Sequence, residues 1–223
     1  MAGIEDKPGA TRGNGHVHDM MGERMTRTSP LLEETWRYWS SLREGTNLPR
    51  RDALEPRAMA FTLGHSMILD RIRPGTVRVR LGGRVMQTVM GMEVRGLPVR
   101  AFFDLAERTL AVHLIEEVFE TRAALDLDLI SDGEDGPLSG KLLVLPLLDH
   151  GGQPTKALTC LSLDGPVFDP PRRFRILDHR LTPIQAPAPA LLPRPVETRP
   201  AMELAEPPAA YRASPVPWLR VVK

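Results

Sequence analysis

The chain has a single cysteine, Cys160, among its 223 residues. One thiol excludes an internal disulfide and any zinc site built from cysteines alone, and it fits a reducing cytoplasm. Aromatic residues make up only 5% of the chain, so a cluster of them concentrates apolar area in one place. There is no run of about 18 apolar residues, the length a membrane-spanning helix needs. The first residues have neither the basic start nor the apolar stretch of a secretory signal. The net charge is +1, so the whole-chain field argues for neither nucleic acid nor an anionic membrane.

Catalytic patterns are also lacking. Gly64-His65-Ser66 falls short of the five-residue nucleophile turn, and it reads instead as the start of a strand. Gly82-Gly83 and the Gly91 to Gly96 spacing lack the Lys-Ser/Thr of a phosphate loop and read as turn glycines. Asp126 and Asp128 share one side of a strand, which suits a solvated edge better than a paired-carboxylate site. No zinc-ligand spacing occurs in the part expected to fold. The sequence therefore assigns no catalytic residue and no metal ligand to the core, and the expectation is a protein that is not an enzyme.

What is present is enough for one domain: 42% hydrophobic and 26% charged residues. Residues 1–29 show no apolar periodicity and are expected to form a disordered leader. Within it, His16-Val17-His18-Asp19 has metal-binding side chains, but a solvated tail is the simpler reading, since binding would have to order it. Ser29-Pro30 then reads as an N-cap followed by a first helical residue. Leu32, Trp36 and Trp39 recur at helical spacing, which predicts an amphipathic helix. Residues 55–63 are expected to form a second, short helix begun by Pro56.

Residues 65–72 and 76–81, joined by Arg73-Pro74-Gly75, predict a β-hairpin. Val77, Val79 and Leu81 would share its buried side. Residues 84–91 return to helical spacing. Between residues 102 and 122 the spacing predicts the longest helix, with Leu110, Ala111, Leu114 and Val118 inward and Thr109, His113, Glu116, Glu117 and Glu120 outward. Three strands follow at residues 123–130, 141–148 and 155–163. The middle one is apolar nearly throughout, as a strand covered on both faces would be. Pro146 within it implies a bend, a bulge or an edge. After Gly165, thirteen prolines disfavour regular structure, and residues 165–223 are expected to be a largely disordered, mildly basic tail. The terminal Trp218-Leu219-Arg220-Val221-Val222 could add to a sheet edge.

Taken together, Tyr38-Trp39-Ser40-Ser41-Leu42-Arg43, Pro49-Arg50-Arg51 and the later Asp70, Arg80, Gly82, Gly91 and Gly96 resemble the PAS domain. They look most like bacterial PAS-like proteins with a YW..LR helix ahead of the core. The resemblance covers about residues 31–164. It implies an α+β fold: a five-stranded antiparallel sheet with helices on one face, preceded by the amphipathic helix and flanked by disordered tails. The expected organisation is a leader at 1–29, the domain at 30–164 and the tail at 165–223.

The resemblance also implies a sensory or regulatory module acting through protein contacts, as a dimer or with a partner. Trp36, Tyr38, Trp39 and Leu42 are the expected interface, unless that helix simply caps its own core. The alternative is a small-molecule sensor whose cavity wall would include Met67, Leu69, Val79, Met86, Met90, Leu114 and Leu127, residues equally suited to core packing. Flavin chemistry is disfavoured because the expected cavity helix has no cysteine. Haem is disfavoured because His113 falls on the polar side of the long helix. The cofactor is unknown, and the core offers no basic-aromatic face for nucleic acid.

Overall fold

The structure is a computed structural model that describes residues 29–45 and 47–184. The leader with its His16-Val17-His18-Asp19 motif and the terminal Trp218–Val222 stretch lie outside the described residues. Three α-helices, α1 (Pro30–Ser41), α2 (Arg84–Met90) and α3 (Arg108–Thr121), accompany six strands. The strands are β1 (Ser66–Arg73), β2 (Thr76–Gly82), β3 (Ala123–Ser131), β4 (Leu138–Leu147), β5 (Lys156–Leu163) and β6 (Arg175–Pro183). They form one antiparallel sheet in the order β2-β1-β5-β4-β3-β6.

The expectation of five strands is corrected to six. All but the last residue of β6 lies in a proline-free window, residues 172–182, and the strand ends on Pro183. It pairs with β3 from Ala123↔Pro183 to Ile130↔Arg175. Its alternation is hidden by a register shift beside Leu177, which is left 60% exposed. Only one side of this edge strand meets a neighbour, so Ile176 and Leu181 alone pack on the core, and the sequence pattern is faint.

Both faces of the sheet are covered. On the inner face, α2 and α3 pack on Met67, Leu69, Val77, Val79, Leu125, Leu127, Leu129, Leu142, Val144, Ala157 and Leu161. On the outer face, α1 packs on Ala124, Leu143, Leu145, Leu147, Leu158 and Cys160. Alternate residues of β4 thus serve different cores, which is why the strand reads as a continuous apolar run. Pro146 meets the expectation of an edge, but only locally. It sits in an internal strand opposite Ala157, beyond Val144, where the pairing of β4 with β3 ends, so no ladder bond is missed there.

Several local expectations are revised by geometry. Ser29 stands at the N-cap position of α1, but its hydroxyl bonds Ser162 Oγ at 2.7 Å instead of capping the helix. Residues 55–63 form successive tight turns, not a helix, with bonds such as Met59 N–H to the Pro56 carbonyl. In β2, a register shift opposite Ile68 and Leu69 inserts Arg80 as an extra residue. Leu81 is thereby turned away from Val77 and Val79 to the outer face, 47% exposed. In α3 the buried stripe is rotated towards Ile115 and Phe119, leaving Leu110 39% exposed and Glu116 buried. Glu116 accepts a bond from the Gly75 amide at 3.0 Å and pairs with Arg71 at 2.6 Å, tying α3 to the β1–β2 turn.

Gly82 and Gly83 are required by close approach, not by turn geometry. A Cβ on Gly83 would lie 2.4 to 2.6 Å from backbone atoms of Leu63 and Gly64. Gly83→Ala is expected to cost about 1–3 kcal/mol in urea unfolding. Gly64→Ala, which would meet nothing within 4 Å, should change stability by less than about 0.5 kcal/mol.

The chain reaches β6 through Arg172, whose guanidinium is buried. It donates to the carbonyls of Ser131 and Gly136 at 2.8 Å each, to Phe168 O at 3.4 Å and to Ser131 Oγ at 3.3 Å. The Arg172 amide bonds the Val89 carbonyl at 2.7 Å, and the Phe174 amide bonds that of Phe102 at 2.9 Å. Arg172 therefore locks the β3–β4 turn and the lead into β6 together. Arg172→Ala is expected to lower stability by about 2–3 kcal/mol. It should also speed amide exchange in β6 before that in β4, as followed by hydrogen exchange.

Candidate functional site

The seven proposed cavity residues Met67, Leu69, Val79, Met86, Met90, Leu114 and Leu127 do come together. All are buried on the inner face in one cluster with Phe102, Phe103, Ile115 and Phe119. Phe119 and Phe103 are among the largest side chains there, each 1% exposed, so these positions pack directly against neighbouring side chains. His113 is exposed on α3 and lies 3.1 Å from Glu117, on the solvent side of the helix.

The four interface candidates have unequal fates on α1. Trp39 is 0% exposed, and its indole Nε1 donates to the Pro146 carbonyl at 3.0 Å. Trp36 is half-buried and stacks on it, with ring centroids 5.5 Å apart. Tyr38 Oη accepts the Glu55 amide at 2.7 Å, which ties α1 to the turn segment that follows. Leu42, just past the helix, is half-buried. The helix thus covers its own sheet while keeping part of an aromatic pair at the surface.

Two open clefts have no counterpart in the sequence pattern. A cleft of about 560 Å³ lies where β1 begins and β2 ends. The turn segment supplies Leu54, Pro56, Met59 and Leu63, and the sheet supplies Ile68, Leu81 and Leu158. Arg51 and Arg84 also line it. A second, polar cleft of about 490 Å³ shares Arg51 and Ile68 with the first. It contains Asp52, Asp70, Arg80, Asp149, His150 and Lys156. There Lys156 pairs with Asp70. The Asp149 carboxyl is held below its usual value by the Thr155 hydroxyl first and the Gln153 amide next. The signal that could have revealed the first cleft is the bulge at Arg80, which turns Leu81 outward. Single-strand periodicity carries no mark of it.

Cys160 faces the outer core beneath α1 and is fully buried. Burial raises its thiol to about 11, against weaker lowering contacts from Thr35 and Ser66. The unfolded thiol ionises first as pH rises, so this group's stabilising contribution is complete below the unfolded value and lost as pH climbs through the folded one. Native protein should resist alkylation at pH 8 and react fast in urea. In denaturant titrations Cys160→Ala should remove part of the stability loss between about pH 9 and 11.

Among the described residues no group of three or more histidines, cysteines and carboxylates is placed to hold a metal, and no helix is long and apolar enough to cross a membrane. Comparison with curated proteins gives no match. Among solved structures, a light-oxygen-voltage domain studied with a flavin analogue is 19% identical, covering 49% of this chain and 83% of its own, at a TM-score of 0.39. The PAS domain of a Colwellia psychrerythraea protein is 16% identical over 48% of this chain and 92% of its own, with a TM-score of 0.36. The light-state Aureochrome1 LOV structure is 18% identical over 49% and 88%, with a TM-score of 0.38. Similarity at that level carries no argument about ligand or mechanism. The family model described as PAS domain matches residues 27–162, well over half of the sequence. The chain belongs to the PAS domain family.

Proposed function

We propose that this protein is a cytoplasmic sensory or regulatory module that works by protein contact and catalyses no reaction. The contact we favour is with a second copy of the chain, through the exposed side of α1. The observation that supports this is the aromatic pair. Trp36 presents part of its ring at the surface and stacks on Trp39, which holds the Pro146 carbonyl of the internal strand β4. A partner pressing on Trp36 therefore acts, through one stacked ring and one hydrogen bond, on the middle of the sheet. Leu42 extends the same apolar strip.

Sedimentation velocity with circular dichroism tests this. Wild-type protein should sediment as a dimer, and Trp36→Ala as a folded monomer with an unchanged far-ultraviolet spectrum. Losing half of an exposed aromatic contact should cost about 1 kcal/mol or less in monomer stability. A wild-type monomer across the micromolar range, or a Trp36→Ala dimer as tight as wild type, would remove the proposal.

A further inference from the structure

We propose that the larger, apolar cleft binds a small amphiphile carrying one negative charge, a free medium-chain carboxylate. This site is separate from the Trp36 contact: no residue of α1 lines it, and it reaches from the turn segment across Ile68 and Leu81 to Arg84, the first residue of α2. Its lining is apolar over most of its extent, with Leu54, Met59, Leu63, Ile68, Leu81 and Leu158. Its volume of about 560 Å³ falls within the range of small-molecule pockets. Leu63 and Leu81 remain 45% and 47% exposed, apolar area that an alkyl chain would cover.

The charge in the lining is one-sided. Among the described residues, Arg51 and Arg84 are its only ionic side chains, and no carboxylate lines it. Neither guanidinium has an ion-pair partner among the described residues. Two cations beside an apolar cleft repel a cationic amphiphile and favour an anionic one, which each guanidinium can hold by charge-assisted hydrogen bonds. The adjoining polar cleft, which shares Arg51, brings Asp52, Asp70 and Asp149, carboxylates that keep an anionic headgroup out of that cleft and leave it to Arg51 and Arg84 in the apolar one. Among the described residues no aromatic side chain lines the first cleft, so they offer no stacking surface for a nucleobase or flavin ring.

The test is a titration of full-length, isotope-labelled protein with octanoate, decanoate and octan-1-ol, followed by amide NMR shifts. Shifts should concentrate at Gly64, Ile68, Leu81 and Gly83. Each added methylene should raise affinity roughly fourfold. Octan-1-ol should bind roughly tenfold or more weakly than octanoate. The exposed-site double variant Arg51→Gln/Arg84→Gln should bring octanoate down to the level of the alcohol. Leu81→Trp, which fills the cleft, should weaken both. The proposal fails if decanoate does not bind in the millimolar range, if acid and alcohol bind alike, or if the variants leave affinity unchanged. It also fails if the shifts centre on inner-face residues such as Met86 and Leu114.

Discussion

β4 is the strand on which the rest depends. Every residue from Leu142 to Leu147 is buried, and its alternate side chains enter two separate cores. Strands pair along both its edges over most of its length, and helices cover both its faces. Pro146 is tolerated there because the partner on one side has already ended. Its carbonyl is taken by Trp39. Burying an indole of that size contributes roughly 4–6 kcal/mol before entropy is counted, against about 1 for the hydrogen bond. Hydrophobic burial therefore holds α1 on the sheet, and the hydrogen bond sets its rotation.

Polar groups do a different job. Glu116 with Arg71, and Arg172 with four oxygens, sit at the places where the chain changes direction: the β1–β2 turn, the β3–β4 turn and the approach to β6. Buried ions add little net stability over well-packed apolar groups, but an unmatched one is costly. Their value here is selectivity for one arrangement of the turns. A slip of β6 along β3, for instance, would pull the Arg172 guanidinium from the carbonyls of Ser131 and Gly136.

The two faces of the sheet differ in what they leave open. The inner core gathers Phe102, Phe103, Phe119 and the methionines of β1 and α2 into one buried cluster with Leu114. The outer core is centred on β4 and β5, where α1 packs most closely, while the tight turns of residues 55–63 lie beside the start of β1. No residue of α1 lines either cleft, and the bulge at Arg80 turns Leu81 towards the larger one.

The sequence by itself determined the order of the three α-helices and the first five strands, the two-sided burial of β4, the hairpin at Pro74-Gly75 and the family. Each rests on local periodicity or on residues with special backbone geometry, and both survive any tertiary context. Residues such as Trp39 and Leu114 were legible as apolar and helical, though not as belonging to opposite cores. Only the tertiary structure decided that α1 seats on the outer face, that a sixth strand joins β3, that Leu81 faces outward and that Glu116 is buried. Each of these depends on a partner distant in sequence: Pro146 for Trp39, the 123–130 run for β6, Ile68 for Leu81, Arg71 for Glu116. Periodicity along one segment says which side is apolar. It does not say which surface that side will meet, because that is set by contacts the segment does not contain.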